Sequence, residues 1–395
     1  MAEFDNKEVE YDLRVSDKYK NTLDIEGFSL MMKDPSYCYK FYWLEAIVKL
    51  ISEGILETTF NDVIDEMICN AWYSVREFHI HLSGIQADGQ VRDGLERTIL
   101  TLSELSSLPS NASKDEIKNA IKSNDKMLKE SKEQLTNMVP YRALSGFFAK
   151  DDSAVDWGSV RRITSYIEKI NREVVLLPYT LGESSKLKKE IYFHPSWVEM
   201  IQDNTVAILG WIQYEKVKWL QNNNPEVPGL VYKLAPMDEK MRKLGNVRKL
   251  WEGVLEISKV NDVFTGCNIE PKEYDIDHFI PWSFVMNDEL WNLMPMDSSL
   301  NSAKSNRLPK WDPFFSRFAD NQYLLYQLIN EKPGIRKLYD HCYKDNLHCI
   351  WAGQELYRIG NSKAEFYTIL EKNMKPVYDS ARRQGYEIWN TCHPI

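Results

Sequence analysis

Residues 274–304 constrain the local fold more tightly than any other stretch of this 395-residue chain. Polar and apolar residues alternate along 274–280, which predicts a half-buried strand, and Pro281 ends it. Further on, the acidic and hydroxyl residues at 297–299 are typical of a helix N-cap. A hairpin followed by a capped helix predicts a ββα unit.

The same stretch carries a set of side chains suited to phosphodiester hydrolysis. His278 stands beside Asp277, and Asn292, Asn301 and Lys304 follow it. A histidine supplies a base, carboxylate and amide oxygens hold a hard cation, and a lysine contacts phosphate. Each residue alone is more often structural, since asparagines commonly cap turns and helix ends. Together, in this order, they predict a metal-dependent phosphodiesterase site.

The predicted strand raises one geometric difficulty. Side chains alternate along a strand, so Asp275 and Asp277 share one face while His278 points to the other. A twist or bulge at the end of the strand is therefore expected, because it would bring Asp277 and His278 to one metal. In the following helix, Asn301 and Lys304 are three residues apart and share a face.

This order of residues resembles the HNH endonucleases, a family with a ββα-metal fold found among homing and restriction enzymes, phage nucleases and RNA-guided CRISPR effectors. The shared run is Asp-x-Asp-His-x-x-Pro-x-Ser-Phe at 275–284, followed by Asn292, Asn-x-x-Lys at 301–304 and Leu-Pro at 308–309. The resemblance covers residues 260–310 and leaves the rest of the chain unassigned.

The resemblance implies a role for each matched residue. Asp277 and Asn301 are expected to bind one divalent metal, Mg²⁺ with Mn²⁺ as a substitute, and His278 to deprotonate the attacking water. Asn292 is expected to orient His278 through a hydrogen bond. Asp275 is expected to support the ligands without binding the metal itself.

Nucleic-acid contacts are expected just downstream of the site. The net charge of −9 argues against a surface that binds nucleic acid throughout, so any such contact must be local. Lys304, Arg307, Lys310 and Arg317 stand against Asp312 alone in this segment. Lys304 is expected to contact the scissile phosphate, and Arg307 and Lys310 the nucleic acid around it.

The cysteines predict neither disulfides nor a zinc site. Many HNH domains carry two CxxC pairs that bind structural zinc, but the six cysteines here are scattered and only Cys267 lies near the hairpin. The His-Cys pairs at 341–342 and 348–349 lack the usual zinc spacings, and packing is the favoured interpretation. We therefore expect no structural zinc and reduced thiols.

Helical periodicity dominates outside this unit, so we expect a mainly α protein with a small α+β element. The expected regions are a loosely ordered lead-in at 1–30, a mainly helical recognition or partner region at 31–257, the HNH ββα-metal domain at 258–312 and a helical support at 313–395. The alternating charges at 126–133 favour a solvated helix face over a nucleic-acid arm.

The favoured function is DNA cleavage by an endonuclease that uses a histidine base and one divalent metal. The favoured setting is bacterial restriction or antiphage defence. One alternative is a non-catalytic nucleic-acid or protein-binding subunit that keeps the ββα fold, and another is an RNA-cleaving toxin. The chain shows no signal-peptide pattern and no apolar run long enough to span a bilayer, which predicts a soluble cytoplasmic protein. The oligomeric state is left open.

Overall fold

The structure is a computed structural model in which the chain divides into two compact units, Met1–Asn224 and Pro225–Ile395. It describes residues 13, 15–32, 35, 37–84, 91, 93–137, 139–147, 159–173, 177–234, 244–271, 273–345 and 350–390. Helices dominate both units and the sheets are small, which confirms the predicted fold class. Within these ranges, no helix is long and apolar enough to cross a membrane.

The first unit is built from helices with well-defined starts. Thr59 and Ser113 each begin a helix with a capping box. Gly54, at φ 85°, follows a helix end and occupies the left-handed region that favours glycine. The helices of this unit are α1 Asp17–Lys20, α2 Ile25–Leu30, α3 Tyr39–Ser52, α4 Phe60–Phe78, α5 Gly94–Leu105, α6 Lys114–Ser123, α7 Asp125–Thr136, α8 Val139–Arg142, α9 Val160–Glu173, α10 Pro195–Asp203 and α11 Thr205–Asn223.

A small antiparallel sheet packs with these helices. Its strands are β1 Glu57–Thr59, β2 Tyr179–Leu181 and β3 Glu190–Phe193, in the order β1-β3-β2. The buried Trp43 donates its indole N–H to the Tyr179 hydroxyl at 3.2 Å, and this hydroxyl donates to the Pro140 carbonyl at 2.6 Å. These bonds join α3, β2 and α8 in the core.

The four regions expected from the sequence differ from this division into two units and stay a prediction. Helices α1 and α2 fall in the expected lead-in, yet Phe28 is fully buried and stacks on Trp197 at 5.2 Å between ring centroids. The helix Gly245–Ile257, expected in the N-terminal region, lies in the second unit.

The second unit surrounds a two-stranded hairpin with helices. Its elements are α12 Gly245–Ile257, β4 Tyr274–His278, α13 Trp282–Val285, β5 Leu293–Asp297, α14 Ser298–Lys304, β6 Leu308–Pro309, α15 Trp311–Glu331, α16 Pro333–Asp345, α17 Lys363–Arg383 and β7 Ile388–Trp389. β4 pairs with β5 antiparallel, and β6 pairs with β7 parallel. The order β4, β5, α14 is the predicted ββα unit.

One hydrophobic cluster runs through the hairpin and the helices that follow it. The fully buried Gln322 of α15 donates to the Leu293 carbonyl at 2.7 Å, and Tyr378 of α17 donates to the Pro309 carbonyl at 2.8 Å. The C-terminal helices thus hold the start of β5 and the end of β6. They provide the support that a short ββα unit cannot supply alone.

Candidate active site at the hairpin and its helix

The hairpin that carries the predicted residues is regular to its end. β4 and β5 pair in continuous register from Tyr274 with Asp297 to His278 with Leu293. Burial alternates along β4, with Asp275 and Asp277 partly exposed and His278 buried. Within these described strands the expected bulge is absent, because each residue of β4 has one partner. Asp277 and His278 therefore lie on opposite faces, and the structure does not bring their side chains together.

Asp275, Asp277 and Asn301 form an oxygen-rich face between β4 and α14. Asp297 caps α14 by accepting from the amides at the helix start, so the helix turns back directly after β5. Asn301 then donates from Nδ2 to Asp275 Oδ2 at 3.3 Å, and Arg248 Nη2 lies 3.5 Å from Asp275 Oδ1. The sequence did not single out Arg248 as a partner of this carboxylate.

Lys304 is not a surface cation. Its side chain is 0% exposed, and Nζ donates to Asp277 Oδ2 and to the His278 carbonyl, both at 2.8 Å. The predicted contact with a phosphate does not fit this position, because the ammonium is enclosed and already paired. Lys304 instead fixes the Asp277 carboxylate and the end of β4. A buried pair of this kind is costly to break, because the remaining charge is left without compensation.

Asn292 also differs from its predicted role. Its fully buried side chain accepts from the Ile280 amide and donates to the Ile280 carbonyl, both at 2.8 Å. Its own carbonyl accepts from the Phe279 amide at 2.8 Å. Asn292 therefore makes no hydrogen bond to the His278 ring and clamps the chain immediately after it.

The imidazole of His278 contacts the loop at 286–289, which carries none of the predicted site residues. Its Nε2 lies 3.1 Å from the Asn287 carbonyl and 3.1 Å from Asp288 Oδ1, and the residue is 1% exposed. Both neighbours are acceptors, so a ring with a single proton carries it on Nε2. The lone pair then resides on Nδ1, to which no described residue donates. The Asn-Asp pair between His278 and Asn292 was the signal available in the sequence.

Most basic residues of the segment expected to contact nucleic acid make hydrogen bonds within the protein. Arg307 donates to carbonyls at the end of α14, and Arg317 Nη1 lies 3.3 Å from the Val263 carbonyl and 3.4 Å from the Phe264 carbonyl. Lys310 is exposed at the start of α15. Of the three residues expected to bind nucleic acid, Lys310 alone combines exposure with a side chain that makes no hydrogen bond or ion pair to another described residue.

The oxygen-rich face suits a hard divalent cation. Asp277 uses Oδ2 for Lys304 and keeps Oδ1, while Asn301 uses its amide N–H and keeps Oδ1. Carboxylate and amide oxygens are donors that Mg²⁺ accepts, and two protein ligands leave positions for water. Among the described residues, no cluster of three or more His, Cys, Asp or Glu could hold a metal. Any cation here would therefore depend on Asn301 and on water.

One comparison with known proteins matches this segment. Residues 262–310 match the family model described as HNH endonuclease. The matched segment begins at Asp262, whose carboxylate accepts from the Phe264 amide at 2.9 Å and the Asp297 amide at 3.1 Å, and it includes β4, β5 and α14. No curated protein and no solved structure matches the chain.

Proposed function

We propose that this protein, which carries an HNH endonuclease domain at residues 262–310, hydrolyses DNA phosphodiester bonds with one divalent metal. The family match supports nuclease activity in general. The observation that carries the finer proposal is the pair of uncommitted oxygens on Asp277 and Asn301, beside a strand that ends in a histidine.

Asp277 and Asn301 would hold the metal, with Mg²⁺ as the expected ion and Mn²⁺ as a substitute. When bound, such an ion supplies Lewis-acid stabilisation of the charge that develops on phosphate oxygens. Lys304 keeps the Asp277 carboxylate oriented by holding one of its oxygens. Asp275, which is 40% exposed and bonded to Asn301, orients the amide so that its oxygen faces away from the bond.

His278 is the proposed general base, and it accepts the proton of the attacking water at Nδ1. The Asn287 carbonyl and Asp288 support this role because they hold the other nitrogen as the N–H donor. Because the ring is 1% exposed, water reaches Nδ1 only after the neighbouring groups move. The proposed reaction therefore requires the substrate to open the hairpin end around His278 and to bring its ring to the face of β4 that carries Asp277.

A plasmid cleavage assay tests this proposal. The wild-type protein is incubated with DNA and Mg²⁺, with EDTA as the metal-free control, beside His278→Ala and the matched variant His341→Ala at an exposed position of α16. His278→Ala should lower cleavage roughly 10²–10⁴-fold while DNA binding is retained. Cleavage that persists in EDTA, or an unchanged rate in His278→Ala, would contradict the proposed chemistry.

The same assay separates the alternative functions. Labelled RNA in parallel reactions distinguishes an RNA-cleaving toxin, because its cleavage would exceed that of DNA. A non-catalytic binding subunit would bind DNA but show no metal-dependent nicking with either Mg²⁺ or Mn²⁺. For the proposed defence role, cells expressing the wild-type protein should resist phage infection and cells expressing His278→Ala should not.

A further inference from the structure

The first unit contains an open cleft of about 1220 Å³, separate from the HNH site. Helices α6 and α7 supply one wall. The other wall comprises β1, the start of α4 and a 3-10 turn at Lys186–Lys188. Lysines project from both walls, and we name this feature the lysine cleft after Lys118, Lys122, Lys126, Lys129, Lys186 and Lys188.

The lysines follow the helical repeat, which places them on the faces towards the cleft. Lys118 and Lys122 are four residues apart on α6, and Lys126 and Lys129 are three apart on α7. Lys122, Lys126 and Lys129 are exposed. The sequence favoured a solvated face for 126–133, and the structure adds that two of its lysines line a concavity.

Most carboxylates of the cleft are already engaged. Asp65 lies 2.6 Å from the fully buried Lys132, which is also 3.5 Å from Asp125. Glu133 accepts from Lys186 at 2.6 Å. A further lining carboxylate, Asp62, accepts from the hydroxyl and amide of the N-cap of α4. These groups therefore have less capacity to neutralise the remaining lysines.

The lysines divide into paired and unpaired groups. Lys118 lies 3.1 Å from Glu66. Within the described part of the chain, Lys122, Lys126, Lys129 and Lys188 form no ion pair, and of the lining carboxylates Glu57 and Asp62 also form none. Unpaired positive charge thus exceeds unpaired negative charge in this cleft, although the whole chain is acidic.

The residue types indicate which part of an anionic polymer the cleft would contact. None of the described lining residues is aromatic, so the cleft lacks the platforms on which single-stranded bases stack. None of them is arginine, the side chain that most often reads guanine through a two-pronged contact. Lysine offers a point charge that suits phosphate irrespective of sequence.

We propose that the lysine cleft binds the phosphate backbone of duplex DNA and so retains the nuclease substrate without reading its sequence. This inference rests on the proposed function, because that function identifies DNA as the substrate. Each phosphate neutralised by a lysine releases counterions, so the cleft should make binding strongly dependent on salt. Three such contacts, at Lys122, Lys126 and Lys129, would contribute roughly 2.7 to the slope of log K against log salt.

Salt-dependent binding of a short labelled duplex by the full chain tests the inference. Binding is measured in EDTA, so that cleavage does not interfere, between about 50 and 200 mM KCl. The test variant combines Lys122→Gln, Lys126→Gln and Lys129→Gln. The control combines Lys332→Gln, Lys337→Gln and Lys372→Gln, which remove three exposed lysines and the same charge outside the cleft.

In the test variant, the magnitude of the slope of log K against log salt should fall by roughly 2.7, and binding should weaken at least about ten-fold at 0.1 M salt. The slope and affinity of the control should change little. An unchanged slope, an equal loss in the control, or no wild-type binding would overturn the inference. Tighter binding of single strands or duplex RNA would overturn the assignment to duplex DNA. The single variant Lys126→Glu repeats the test with one exposed substitution if the triple variant has a lowered melting temperature.

A parallel cleavage assay in Mg²⁺ separates this inference from the proposed function. If the slope falls in the test variant but the wild-type protein cleaves no DNA, the lysine cleft stands as a DNA-binding site and the nuclease proposal fails. If the wild-type protein cleaves DNA but the slope is unchanged, the nuclease proposal stands and the cleft is not the backbone site.

Discussion

Replacing Asn292 with alanine should destabilise the second unit far more than replacing Asn301, although both belong to the family-like motif. The fully buried Asn292 satisfies the amide and carbonyl of Ile280 at 2.8 Å each. Its removal leaves two buried backbone groups without partners, each costing roughly 1–3 kcal/mol, so the free energy of unfolding should fall by about 2–6 kcal/mol. Asn301 is partly exposed and makes one bond of 3.3 Å, so its loss should cost less than about 1 kcal/mol.

Two measurements compare these variants. Urea unfolding followed by tryptophan fluorescence reports the change in stability, and hydrogen exchange of peptides covering 278–292 locates it. In Asn292→Ala, exchange at the Ile280 amide should accelerate strongly, because the acceptor for that amide is removed. Asn301→Ala should retain wild-type exchange there and lose metal-dependent cleavage.

The reasoning would be refuted if Asn292→Ala unfolded within about 0.5 kcal/mol of the wild type, since that is the range of ordinary surface substitutions. It would also fail if Asn301→Ala were destabilised equally. In either case the assignment of Asn292 to the backbone and Asn301 to the metal would have no energetic support.

Three further experiments test other parts of the structure. Lys304→Met should lower the free energy of unfolding by about 3 kcal/mol, because it leaves the Asp277 carboxylate without its partner. Adding Asp277→Asn should recover most of this loss. Equal stability of the single and double variants in urea unfolding would argue against the pair. Burial raises the pKa of Asp93 to about 6, so the folded state holds its proton more tightly and stability should fall as pH rises from about 4 to 6. Asp93→Asn should remove up to about 3 kcal/mol of this dependence in urea titrations, and an unchanged pH profile would contradict it. Lys310→Gln should lower the salt slope of DNA binding by about 0.9, whereas no change would exclude Lys310 from the phosphate contacts.

Sequence patterns between residues a few positions apart were sufficient to predict the ββα unit. Period-two alternation predicted β4, and the acidic N-cap at Asp297 predicted the start of α14. Both rules act between residues a few positions apart, so they can be read from the chain alone. The family resemblance at 260–310 rests on the same compact run, and the family match at 262–310 confirms it.

The partners of the individual side chains required the tertiary structure. Lys304 was expected at a phosphate, but the approach of α14 to β4 placed its ammonium on Asp277, 27 positions away, and on the His278 carbonyl. Asn292 was expected to bond His278, but the pairing of β4 with β5 brought it to Ile280 instead, 12 positions away. For both residues the partner in the structure differs from the predicted one for the same reason: contacts between distant segments select it.

The sequence by itself determined the ββα unit and the oxygen and nitrogen atoms available in it. It also determined the family whose model residues 262–310 match. The tertiary structure decided that His278 is enclosed by Asn287 and Asp288, and that Arg307 and Arg317 serve backbone carbonyls. The composition gives the number of charged side chains, but burial and pairing determine which of these side chains can contact a substrate. A buried polar group must find a partner wherever the fold provides one, and that partner is set by packing between distant segments.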